Sequence, residues 1–168
     1  MESWAEKYRP ESLSDIIGNT KVINDLKTWA NSWGDKMIKK GVILSGPPGC
    51  GKTSAAIALA NDMGWEVIEL NASDARSGAV IEGTALRAGL FQTFGSKGMA
   101  DRNLILLDEA DNLYERAQQS KKKIKNYSDR GGKKAISKTL EQTKQPVVIT
   151  VNDLYNLTKG TGAKIKRL

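Results

Sequence analysis

Histidine is absent from this chain, and cysteine occurs once in 168 residues. Those two shortages remove whole classes of chemistry. A Ser-His-Asp triad needs an imidazole, and a structural zinc site needs several His or Cys ligands. A lone thiol closes no internal disulfide, so nothing argues for an oxidising compartment. Long apolar runs are missing too. The longest extend over a few residues, against the ~20 needed to span a bilayer, so no membrane partner is expected. The opening stretch MESWAEKYRPE is too charged for a signal peptide, which predicts a cytoplasmic protein. What remains is an ordinary globular balance, 39% hydrophobic and 27% charged, on a length that suits one domain with a buried core. A disordered tail, a collagen-like fibre and a disulfide scaffold are all excluded.

The net charge of +7 is unevenly spread. Residues 1–115 carry 12 basic and 16 acidic groups, a net of −4. Residues 116–138 carry nine basic groups and one acid, a net of +8, and residues 159–168 carry four basic groups and no acid. A basic insert and a basic tail therefore sit on a mildly acidic body. Such a pattern suits a local contact with a polyanion or an acidic protein surface, or a solvated loop.

Along the chain, residues 1–18 show no clear period and read as an extended arm. Val22, Ile23, Leu26, Trp29, Ala30 and Trp33 have helical spacing. That helix would be capped by Asn19 or Thr20 and ended by Gly34. Alternation follows. Val42-Ile43-Leu44 predicts a strand that runs at once into a Gly/Pro loop. Residues 53–63 predict an alanine-rich helix ending near Gly64. Further strands are predicted at 66–70, 104–107 and 147–151, with a possible fifth at 163–168. Helices are predicted over 79–94 and 134–143. Strands that are apolar on both faces and separated by helices point to an α/β fold: a parallel sheet of about five strands with helices on both faces.

Strand one leads into Gly46-Pro47-Pro48-Gly49-Cys50-Gly51-Lys52-Thr53, followed by Ser54. This fits the phosphate-binding pattern G-x-x-x-x-G-K-[ST], set between a strand and a helix. Gly49 and Gly51 let backbone N–H groups turn around phosphate oxygens. The helix from about Lys52 adds its positive N-terminal end. Lys52 can reach the β- and γ-phosphates of a nucleotide, and the Thr53 hydroxyl can ligate Mg²⁺. Cys50 occupies a variable position, either as a small spacer or as a redox-sensitive thiol.

The apolar run 104–107 ends in Asp108-Glu109-Ala110-Asp111. An acid at the C-terminal end of a buried parallel strand lies beside such a loop. Asp108 can hold Mg²⁺, and Glu109 can orient and deprotonate a water. Asp111 is as easily a helix-start acid as a chemical group. The string Asp-Glu-Ala-Asp also occurs in a helicase family, but no second set of helicase motifs accompanies it. Strand four ends in Thr150-Val151-Asn152-Asp153, where Asn152 is a candidate sensor of the γ-phosphate.

Together these motifs resemble the AAA+ ATPases, and within them the clamp loaders, replication factor C. The residues are Trp4 to Pro10, SGPPGCGKTS at 45–54, ELNASDARS at 69–77, LILLDEAD at 104–111 and PVVITVND at 146–153. Asp129-Arg130-Gly131-Gly132 followed by Ala135-Ile136 looks like the archaeal-type large subunit. The resemblance implies ATP and Mg²⁺ at Lys52, Thr53, Asp108 and Glu109, with Asn152 as sensor 1. It implies an adenine pocket lined by Tyr8, Arg9, Pro10, Ile16 and Ile17 of the arm, with residues 19–168 forming the ATPase core. Arg76 and Ser77 become candidates for the DNA backbone, although helix capping by Ser73 or Asp74 explains that stretch as well. The region after the acid pair, to about 140, would face the sliding clamp. Implied partners are clamp-loader small subunits, the clamp and primer-template DNA, in an intracellular, nucleoid-associated setting.

Departures from the pattern are informative. Where small subunits are expected to carry Ser-Arg-Cys with a trans-acting arginine, this chain has Thr161-Gly162-Ala163. The sequence also stops near the fifth strand, before a helical lid, so it reads as a piece or as an unusually short protein. The leading expectation is an ATPase subunit that loads a ring clamp onto primed DNA. The alternatives are another AAA+ DNA motor, such as a branch-migration or recombination factor, or a nucleotide-binding assembly module with little turnover.

Overall fold

The computed structural model describes residues 7–33, 39–71, 102–110 and 140–152, with the backbone of 165–167. Its centre is a parallel sheet of β1 (Gly41–Ser45), β2 (Glu66–Asn71), β3 (Asn103–Asp108), β4 (Val147–Val151) and β5 (Ile165–Arg167). Their spatial order is β2-β3-β4-β1-β5. The pairing β1–β4 sets Ile43 against Ile149, and β3–β4 sets Leu107 against Ile149. Every expected strand is present, including the tail strand. Val42, Ile43 and Leu44 are all buried, as are Leu104 to Leu107 and Val147 to Val151. Consecutive buried residues in a strand mean that both faces are covered, the environment in which parallel sheets occur. β2, at one edge, is only partly buried.

Two helices pack on one face. Helix α1 spans Thr20–Asn31 and buries Ile23, Leu26, Trp29 and Ala30. Helix α2 spans Lys52–Met63 and buries Ala55, Ala56, Ala58, Leu59 and Ala60. Its alanines leave little side chain between helix and sheet, so α2 sits close against Val42, Leu44, Leu104, Leu106 and Val148. At the far end of the sheet, buried polar groups are paired: the Asn103 N–H donates to Gln145 Oε1 at 3.0 Å, as such burial requires.

Two local expectations are corrected. Asn19 does hold the cap position of α1, but it is left-handed (φ 49°) and its side chain makes no capping bond. An N-cap side chain reaches the N2 or N3 amide from an extended backbone, which Asn19 lacks. Gly18 is also at positive φ (91°), and the two residues together turn the chain into the helix. That helix ends at Asn31, before Gly34, which lies outside the described residues. The arm, in turn, is not simply extended. Leu13–Asp15 form a short helical turn closed by a capping box, with the Ser12 N–H donating to Asp15 Oδ2 at 3.0 Å. Leu13 enters the core at 1% exposure. The Leu13 N–H donates to Asp62 Oδ2 at 3.1 Å, and Asn61 Nδ2 donates to the Glu11 carbonyl at 3.0 Å. The end of α2 thereby holds the arm. The helix expected over 79–94 and most of 134–143 lie outside the described residues.

Candidate nucleotide-binding site

The C-terminal ends of β1, β3 and β4 meet the start of α2. Between β1 and α2 the backbone must reverse tightly. Gly49 (φ 78°) and Gly51 (φ 90°) make that turn in the left-handed region, where a Cβ costs free energy. A Cβ built on either glycine would meet no atom within 4 Å. The space beside both is open, and glycine is required by backbone conformation rather than by crowding. Helix α2 follows directly, so its unpaired N-terminal amides and positive dipole end adjoin the loop.

Lys52 folds back over this loop. Its Nζ donates to the carbonyls of Gly46 (2.8 Å) and Pro47 (2.9 Å) and to Asn152 Oδ1 (3.0 Å). Asn152 is within reach because β4 lies beside β1, and the Gly46 N–H donates to the Val151 carbonyl at 3.2 Å. The Thr53 hydroxyl donates to Asp108 Oδ1 at 2.8 Å. Glu109 follows Asp108 in a left-handed conformation (φ 51°) and is exposed. Thr150 closes the group: its hydroxyl donates to Asp108 Oδ1 at 2.5 Å and accepts the Glu109 N–H at 2.9 Å.

A cavity of about 240 Å³ lies among these groups, lined by Pro48, Gly49, Gly51 and Lys52–Ser54 on the loop side. Asp108, Glu109, Thr150 and Asn152 form its opposite wall. A second cavity, of about 120 Å³, lies beside it and is mostly apolar. Ile16, Val22, Ile23, Leu44 and Ala55 line it, with Asn19 and Ser45 as polar members. Gly51 and Lys52 border both cavities, and Cys50, an exposed free thiol, borders the apolar one. A polar, cation-bearing chamber beside an apolar one suits a nucleoside polyphosphate, phosphates in one and base in the other.

The donor set also fits Mg²⁺. Among the described residues, no group of three or more His, Cys, Asp or Glu could hold a metal. Mg²⁺ does not need one: it takes one or two protein oxygens and fills its octahedron with phosphate oxygens and water. Thr53 and Asp108 offer a hydroxyl and a carboxylate side by side.

The structure thus brings together Gly46 to Ser54, Asp108, Glu109 and Asn152. From the arm, Ile16 lines the apolar cavity. Ile17 is fully exposed and Tyr8 is 67% exposed; neither they nor Arg9 and Pro10 line it. Arg76, Ser77 and Asp111 lie outside the described residues, as do 116–138. Sequence reasoning gave no role to Thr150, nor to Asn19, Val22 and Ile23 as cavity walls. The sequence places Thr150 two residues before Asn152, but its role appears only once β4 is seen to lie beside β3.

Comparison with known proteins agrees with this geometry. The family model described as "ATPase family associated with various cellular activities (AAA)" matches residues 42–159. The replication factor C large subunit of Methanosarcina mazei is 49% identical over 92% of this chain, which spans 23% of that protein. The large subunit of Halorubrum lacusprofundi is 45% identical over 95% of this chain, spanning 31% of that protein. Among solved structures, a katanin chain superposes with a TM-score of 0.63 at 21% identity. It covers 94% of this chain and 52% of its own length, a likeness of fold. With the phosphate loop, the strand-end acids and the β2-β3-β4-β1-β5 sheet in place, the chain belongs to the AAA ATPase family and is similar within it to the large subunits of replication factor C.

Proposed function

We propose that this chain is the ATP-binding and ATP-hydrolysing part of a clamp-loader subunit, one that opens a sliding clamp and loads it onto primed DNA. The observation that most supports the reading is the meeting of Lys52, Thr53, Asp108, Glu109 and Asn152 on one cavity. The nucleotide's phosphates lie along Gly46 to Ser54. Lys52 exchanges its bonds to the loop carbonyls for bonds to phosphate oxygens, and Asn152 lies on the γ-phosphate side. Thr53 and Asp108 would hold Mg²⁺, which would supply positive charge to offset that of the nucleotide's phosphates. Glu109 orients the attacking water and takes its proton. The base occupies the apolar cavity against Ile16, with Tyr8, Arg9, Pro10 and Ile17 of the arm as further candidates to cover it.

The relatives' name, replication factor C large subunit, supports a setting in replication beside other subunits. Small subunits in a hetero-oligomer, a sliding clamp and primer-template DNA as partners, inside the cell at the nucleoid, belong to the proposal. Arg76 and Ser77 are the proposed DNA contacts. The chain spans about a quarter of the length of the relatives it matches. Slow turnover by the isolated chain is part of this proposal, since Thr161-Gly162-Ala163 stands where a trans-acting arginine is expected.

Two substitutions test the reading. Lys52→Ala weakens ATP binding in an equilibrium titration, since it removes the cation facing the phosphates. Glu109→Gln keeps ATP binding and slows hydrolysis at this site by about 10²–10⁴ in the reconstituted complex. Unchanged affinity in the first, or wild-type turnover in the second, overturns the assignment.

A further inference from the structure

We infer that Thr150 is a positioning residue for this reaction, holding Asp108 and Glu109 in their working arrangement; the inference rests on the hydrolytic reading above. β4 is Val147-Val148-Ile149-Thr150-Val151, a strand buried throughout, and Thr150 is its one polar residue at 1% exposure. Valine has nearly the same shape and would suit such a strand without burying a hydroxyl.

The hydroxyl makes one donated and one accepted bond, both to the acid pair. It donates to Asp108 Oδ1 and accepts the Glu109 N–H. The Thr150 carbonyl accepts the Ala110 N–H at 3.0 Å. Three consecutive residues, 108 to 110, are thus tied to a single threonine on the neighbouring strand. Between them stands Glu109 at φ 51°, a conformation that a glutamate adopts only when its surroundings impose it. The direction in which its carboxylate leaves the backbone follows from that turn. Asp108 has a second hydroxyl partner in Thr53, but Thr53, in the first turn of α2, must also serve the phosphates. The hydroxyl of Thr150, on the sheet, is bonded to the acid pair. Its position two residues before Asn152 makes the tip of β4 a common support for the acid pair and for the contact to Lys52.

The test compares Thr150→Val and Thr150→Ser in the reconstituted complex, beside Glu109→Gln. Thr150→Val is expected to lower kcat for ATP hydrolysis by about 10–100-fold, as losing a partner behind a functional ligand does. The affinity for ADP measured without Mg²⁺ stays within about twofold, because no phosphate or base contact changes. Thr150→Ser keeps the hydroxyl, loses a methyl, and restores most of kcat even if it melts at a lower temperature than the valine variant. A wild-type kcat in Thr150→Val overturns the inference, and so does an equal loss in the serine variant, which would make the role one of packing. Loss of turnover in Glu109→Gln with none in Thr150→Val sinks this inference alone. Wild-type turnover in Glu109→Gln sinks the hydrolytic reading itself.

Discussion

Asp108 receives hydroxyls from two elements, Thr53 of α2 and Thr150 of β4, on one carboxylate oxygen. An asparagine there could still accept both through its amide oxygen, so geometry and stability would change little. What would go is the negative charge. Asp108→Asn is therefore expected to leave Mg²⁺-free ATP binding intact while the gain in affinity on adding Mg²⁺ shrinks by about tenfold or more. Titrations with and without the metal measure this, and an undiminished gain would remove Asp108 from the metal site. At this scale the sequence was easy to read wherever the chemistry constrains residue type in a short window. Gly49, Gly51, Lys52 and Thr53 are recognisable because a tight anion-binding turn admits few alternatives. Thr150 was not, since its function depends on which strand lies beside β3, a fact that no local window contains.

Elements carry the same contrast between local and distant information. The strands were legible because Val42 to Leu44, Leu104 to Leu107 and Val147 to Val151 are apolar at consecutive positions. The arm was less so. Its turn follows from Ser12 and Asp15, a capping pair, but its attachment joins Leu13 to Asp62 across 49 residues. That attachment reaches the site, since Ile16 follows Leu13 by three residues and walls the apolar cavity. Asp62→Ala removes the acceptor of the Leu13 N–H and loosens the arm. Nucleotide affinity is expected to fall by up to about tenfold, the worth of one or two hydrogen bonds, while turnover at saturating ATP is unchanged. A fall in saturated turnover would mean that the arm acts on the chemistry and not only on binding.

For the whole molecule, the uneven charge is the feature with most bearing on partners. The stretch 116–138 carries a net of +8 on a body that is otherwise mildly acidic. We propose that it faces the clamp rather than DNA, because the lysine run at 121–125 has no interleaved aromatics to stack on bases. Replacing Lys121, Lys122, Lys123 and Lys125 by alanine should then slow association with the clamp and flatten its salt dependence. DNA affinity should keep its salt slope. If instead the slope of log affinity against log salt on duplex DNA falls by ~0.9 for each lysine–phosphate pair removed, the segment binds phosphates.

The strand order has a consequence for how the protein is made. β1 precedes the other strands of the sheet, yet both of its neighbours, β4 and β5, follow β2 and β3 in the chain. β2 and β3 adjoin each other and can pair as soon as they emerge. β1 must wait for about a hundred residues with both edges open, and its Val42-Ile43-Leu44 run is the kind of segment that pairs with the wrong chain. The same delay governs the site, since Lys52 meets Asn152 only across 100 positions. A nascent chain halted before β4 therefore carries a complete phosphate-loop sequence but only part of the wall opposite it. Full nucleotide binding reports that β4 has docked beside β1.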